Sequence, residues 1–182
     1  MKQSKVSIVL TLLAILGLNH QSFGQKQLPV WVQQQWDFVT KGEWVAPNPY
    51  ESEEVPFDSY GMKFEIAPGG MALNGKLYAL KNGKEVKTLW TFLNYWNPGK
   101  QKLVHLQYGN NPGLGNIAIG EESAPEDWHK SKSTTTSYKD DGTSFKAGHE
   151  SEHLGNKIIS NSFNIIDSEW KPRGKFIWTL KD

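Results

Sequence analysis

Apolar residues first recur at helical spacing. Val32, Trp36 and Val39 fall at i, i+4 and i+7, one stripe of the kind an amphipathic helix buries. Pro29 suits the first turn, where a missing N–H costs nothing, and Gly42 follows as a stop. Beyond Gly42 the period changes to two, the alternation of half-buried strands. Strands are predicted over 43–47, 60–66, 71–81, 85–96, 102–109, 115–121, 128–138, 144–154, 156–166 and 174–181.

The segments between them carry turn chemistry. Asn82-Gly83 is a strong two-residue hairpin signal, because both residues tolerate positive φ. Asn97-Pro98-Gly99 and Asp140-Asp141-Gly142 read the same way more loosely, and residues 110–115 form a longer glycine-rich loop. Residues 48–59, with Pro49, Pro56 and the acidic Glu51, Glu53 and Glu54, are expected to lie over a barrel mouth. Successive hairpins at this spacing mean an antiparallel sandwich or barrel, and an even strand count lets an up-and-down sheet remove its own edges. The fold expected is all-β: an antiparallel up-and-down barrel of about ten strands, closed at one end by the short N-terminal helix.

Composition adds an address. Lys2 and Lys5 precede an apolar run from Val6 to Leu18, and Ser22-Phe23-Gly24 supplies small residues at a cleavage position. That is the order of a secretory signal peptide over 1–24, with an apolar run shorter than the ~20 residues of a bilayer span. A single domain over 25–182, free in the periplasm or outside the cell and without a membrane span, is the expected product. No cysteine is present, so neither a disulfide nor a cysteine-linked lipid is available. Removing the leader takes two lysines and no acids from 20 basic and 19 acidic residues, leaving a formal charge of −1. Arg173 is the lone arginine and no basic stripe exists, which excludes nucleic acid as a partner class. All eight tryptophans fall beyond residue 24 and supply apolar area together with indole donors.

The opening helix, the Gly42-Glu43-Trp44 that begins the first strand and the meandering strands resemble the lipocalin-like calycins. Tyr95-Trp96-Asn97-Pro98-Gly99 and the closing Phe176-Ile177-Trp178 look most like secreted bacterial lipocalin-like barrels of a domain-of-unknown-function family. The resemblance covers residues 28–182. It implies binding of a small, largely apolar molecule and names no reaction. In such barrels a basic residue of the last strand packs over the first-strand tryptophan. Strand one starts beside the end of strand ten, so Lys181 rather than Arg173 is expected against Trp44, with Gly42 and Trp44 as structural residues.

Charge parity assigns faces. In 144–154, Lys146, Glu150 and Glu152 belong in water, which turns Phe145, Ala147, His149, Ser151 and His153 inward. Likewise Lys130 and Lys132 turn His129, Ser131, Ser133 and Thr135 inward, and Lys87 turns Trp90 and Phe92 inward. Lys175 and Lys181 leave Phe176, Trp178 and Leu180 inside, and Lys102 places His105 and Gln107 inside. The lumen so inferred is aromatic on early and final strands and polar on the seventh and eighth. Its ligand-binding candidates are Trp90, Phe92, His105, His129, His149, His153, Phe176 and Trp178. Such a lumen suits an amphipathic guest, although in small barrels the same side chains also fill a packed core.

His149-Glu150-Ser151-Glu152-His153 matches the zinc-hydrolase pattern HExxH, which works on a helix, where i and i+4 histidines share a face. On a strand the two histidines stand ~13 Å apart, too far for zinc–nitrogen bonds of ~2 Å. The strand pattern and the flanking Gly148 and Gly155 favour the second reading. His149 or His153 as a haem ligand, and calcium at the acidic 51–54 cluster, are weaker alternatives, and no metal or cofactor is expected. No nucleophile elbow or phosphate loop is present. Three functions are thus open: a non-catalytic binder of an apolar or amphipathic small molecule, a Trp-rich carbohydrate-binding sandwich, and a metal-dependent hydrolase.

Overall fold

A computed structural model describes residues 28–109 and 117–181. The signal peptide expected over 1–24 and the glycine-rich loop expected over 110–115 lie outside the described residues. Helix α1 (Val30–Val39) is followed by ten strands: β1 (Glu43–Pro47), β2 (Ser59–Ile66), β3 (Ala72–Lys81), β4 (Lys84–Asn97), β5 (Lys102–Gly109), β6 (Ile117–Glu122), β7 (Lys130–Tyr138), β8 (Ser144–Leu154), β9 (Lys157–Ile166) and β10 (Glu169–Leu180). Each strand pairs antiparallel with its sequence neighbour, and β1 also pairs with β10, which closes the sheet into a barrel. Closure rules out the sandwich reading.

The hairpin chemistry works as the sequence suggests. Asn82 (φ 52°) and Gly83 (φ 73°) both adopt the left-handed conformation that a tight β3–β4 turn requires. One strand departs from expectation. β10 begins at Glu169, not 174, and runs through Pro172, which has no N–H to give a ladder. A register shift between Pro172 and Gly174 absorbs the proline, with Arg173 as the extra residue. The strand expected from 128 begins at Lys130.

Helix α1 plugs one end and joins two apolar clusters. Val32 and Trp36 pack with Leu73, Trp96 and Leu103. Phe38 packs with Trp44, Ala46, Ile158 and Trp178, and Val39 touches both groups. Trp44 is fully buried, stacks on Phe38 at 5.1 Å, and donates its indole N–H to the Val39 carbonyl at 2.8 Å. That bond satisfies one of the carbonyls a helix leaves free at its C-terminus. Gly42 lets the chain pass Leu180, because a Cβ there would lie 3.1 Å from Leu180 Cδ1.

The expected pairing of Lys181 with Trp44 is replaced by a different one. The register sets Leu180 across from Trp44, and one further residue turns the side chain to the outer face. Lys181 Nζ meets the Glu43 carboxylate there at 2.8 Å. At the far end, the 48–58 loop folds back on itself through Asn48, whose amide donates to the Phe57 carbonyl at 2.7 Å. Tyr50 leans over β10, its hydroxyl 3.4 Å from where a Gly174 Cβ would stand. Glu51 pairs with Lys81 at 2.6 Å.

Candidate functional site

Below the barrel's midline, against α1, lies a cavity of about 220 Å³. Its walls divide by chemistry. Trp36 and Val39 of α1, Met62 and Phe64 of β2, Leu73 of β3 and Phe92 of β4 make an apolar side. Gln35 of α1, Asn94 of β4, His105 and Gln107 of β5, Glu122 of β6, Ser131 of β7, and Ser151 and His153 of β8 make a polar side, with Leu103 and Ile158 completing the wall. The division follows from strand parity: the inward positions of β2 and β3 are apolar in the sequence, and those of β7 and β8 are hydroxyls and imidazoles. Gly75 keeps the apolar side compact, since a Cβ there would collide with the Phe64 ring at 2.3 Å.

The polar side is a connected network. Glu122 is 3% exposed and lies opposite Leu103 on β5. Its Oε1 accepts from Gln35 Nε2 at 3.3 Å, and its Oε2 lies 3.3 Å from His105 Nε2. The other nitrogen of His105 lies 2.8 Å from Asn94 Oδ1. An amide oxygen only accepts, so His105 Nδ1 is the donor to Asn94. The bottom of the barrel thus holds a carboxyl–imidazole pair braced on both sides by amides.

His153 stands apart from that network. It is 5% exposed, stacked on Phe38 at 4.9 Å, and beside Trp128. Burial, together with the nearby charge of His129, pushes its pKa down to about 4, against a hydrogen bond to the Trp128 backbone that favours the charged form. Its Nδ1 is buried with no hydrogen-bond partner among the described residues. His149 lies two inward positions further from the helix, beyond Ser151 and across from Ser133 and Ser162. Burial first, then the charges of Arg173 and His105, lower its pKa to about 4. Both rings are therefore neutral at physiological pH.

Of the eight residues expected to face a ligand, Phe92, His105 and His153 line the cavity. His149 points into the lumen above it. Trp90 sits where β3 and β4 slip register, with Leu77 opposite Trp90 but Tyr78 opposite Thr88, and its ring covers Gly109. Phe176 and Trp178 build the wall: Phe176 meets Tyr60 edge-on at 5.5 Å, and the Trp178 indole donates to Ser160 Oγ at 3.0 Å. The inward placement of His129 is corrected. It precedes β7, so strand parity does not reach it, and its half-exposed side chain stacks on Trp128 and bonds Asp127 at 2.8 Å. Gln35, Asn94 and Glu122 join the site without having been singled out. Asn94 shares parity with Phe92, and that signal was present in the sequence. Glu122 falls one residue beyond the strand expected over 115–121 and reads there as a turn charge.

The HExxH segment is β8 strand throughout, so its histidines share a face at a separation of ~13 Å. Among the described residues no group of three metal-ligating side chains assembles. The zinc-hydrolase reading is thereby set aside.

Fold and site together define a class: a closed ten-strand meander barrel, helix-plugged, with a small two-sided lumen. No protein-family model matches the chain, and no curated protein matches it. No described helix is long and apolar enough to cross a membrane.

Proposed function

We propose that this chain is a secreted or periplasmic lipocalin-like barrel that holds one small apolar or amphipathic molecule in its lumen and performs no reaction on it. The observation that carries this reading is the cavity itself: about 220 Å³ between an apolar wall and a polar one. A core meant only for packing has no use for the His153 Nδ1, buried without a partner among the described residues, because such an atom costs desolvation free energy unless something bonds to it. The leader, cleaved near Gln25, supports export. The helix plug and the buried first-strand Trp44 support the lipocalin-like assignment.

The volume equals the liquid share of about seven waters, so the guest is compact, on the order of 100–200 Da. Native mass spectrometry of the chain purified from its own envelope tests the reading. A mass increment of that size, lost on denaturation, is expected. A bare chain mass from every preparation, with no small apolar compound taken up afterwards, overturns it.

A further inference from the structure

The polar wall constrains what the guest's head can be. His153 makes its one hydrogen bond to the Trp128 backbone, which leaves Nδ1 as the free nitrogen. A neutral imidazole that donates from one nitrogen presents a lone pair at the other. The ring is locked between Phe38 and Trp128 and borders the cavity. Glu122 adds acceptor capacity: two oxygens offer about four lone-pair sites, and each oxygen has a single partner at 3.3 Å, long for such a bond. The donors nearest these two groups are already engaged, while Gln107, Ser131 and Ser151 can each donate or accept. Gln35 Nε2 is spent on Glu122 and the Trp128 carbonyl, and His105 Nδ1 on Asn94.

We infer that the lumen selects a compact ligand whose polar end donates hydrogen bonds, an alcohol or an amine, placed against His153 Nδ1 and the Glu122 carboxyl with its apolar body on Phe64, Leu73 and Phe92. The inference rests on the small-molecule-binding reading above and narrows it. A carboxylate head brings a third set of acceptors and a negative charge to a wall that has acceptors to spare. The protein's rim cations Arg173, Lys139 and Lys146 line a separate hollow toward the opposite mouth, with Lys146 seven residues or ~23 Å along β8 from His153. A hydrocarbon of the same size leaves the His153 lone pair unsatisfied.

The test is displacement of an apolar fluorescent reporter from the full secreted chain by four matched compounds: 2-phenylethanol, 2-phenylethylamine, phenylacetate and ethylbenzene. The alcohol or the amine is expected to bind about tenfold tighter than ethylbenzene, a difference of ~1.4 kcal/mol, and phenylacetate weakest of all. Which of the two donors wins separates a neutral from a charged head. His153→Phe, which keeps a ring between Phe38 and Trp128, is expected to abolish the donor preference while ethylbenzene still binds. Glu122→Gln provides a second variant should the first fail to fold, and is expected to reduce donor binding alone. Equal binding of all four, tightest binding of phenylacetate, or a preference that survives in a folded variant overturns the inference and leaves the binding reading standing. If neither the reporter nor any of the four binds, the binding reading itself fails.

Discussion

Replacing Trp44 by phenylalanine separates two contributions the native side chain combines. The phenyl ring keeps part of the buried area and the stack on Phe38, but the Val39 carbonyl loses its donor. We expect a loss of about 2–4 kcal/mol in urea unfolding, combining a cavity with an unsatisfied buried carbonyl. The histidines give a second residue-scale expectation. Unfolded, each imidazole takes a proton near pH 6.5; folded, His149 and His153 do so only near pH 4. Between those values the unfolded chain holds more protons, so stability is full above pH 6.5, falls as pH drops toward 4, and changes no further from this cause below it. Each pKa unit corresponds to ~1.4 kcal/mol, giving up to about 3 kcal/mol per histidine. Urea midpoints from pH 7 to 4 should follow that fall, and His153→Phe should make it shallower. Near and below pH 4, carboxylates held low by partners take over, among them Glu43 with Lys181 and Tyr78 and Asp58 with the Asn82 amide. At this scale the sequence showed which residues alternate but not which are bonded. His105 and His153 were legible as inward, whereas the Glu122–His105–Asn94 network required knowing which three strands lie side by side.

Among the elements, the β9–β10 hairpin turns through Asp167 (φ 51°) and Ser168 (φ 66°), two non-glycine residues in the left-handed region. Glycine takes that conformation without steric cost, so Ser168→Gly is expected to stabilise the protein by roughly 0.5–1 kcal/mol in thermal or urea unfolding. A glycine elsewhere has the opposite sensitivity. A Cβ at Gly148 would meet the Trp170 ring at 2.4 Å, and that ring lies under Lys132 Nζ at 4.2 Å. Gly148→Ala should cost about 1–3 kcal/mol and displace Trp170 from its place on the outer face of β8. These two turns and crossings explain where sequence reading stopped. Asn82-Gly83 announces its hairpin by residue type, and the strand pair around it was legible. Asp167-Ser168 does not announce one, and Pro172 argues against a strand that a bulge at Arg173 nevertheless allows. Parity holds as far as the register does: the slip lies between Trp90 and Thr88, so Trp90 keeps the face of Phe92, with Leu77 and Gly109 opposite it.

For the whole molecule, period-two alternation over ten segments predicted both the strand number and the closed meander, since a sheet of hairpins with an apolar inside has few other ways to hide its edges. The lumen's division into an apolar and a polar side was readable from the same alternation. Its size was not, because volume depends on how far the helix enters and on contacts such as Phe64 over Gly75. Closure is uneven: Trp44–Leu180 and Val45–Thr179 pair across the β1–β10 seam, extended by the Lys181 N–H to Glu43 carbonyl bond, while β9 and β10 pair along the whole of β9. Backbone amides of β1 facing β10 are therefore expected to show the least hydrogen-exchange protection of the barrel ladders.

That seam joins the first strand to the last, and the order of synthesis makes this consequential. Nine strands precede in the chain the one that completes the circle, and until it pairs both Glu43–Pro47 and Lys157–Ile166 present open edges. The nascent chain spends most of its making as a sticky, curled sheet that cannot be finished from one end alone. A premature stop anywhere before Glu169, even one that removes only residues 169–182, is in this architecture as disabling as one near the start.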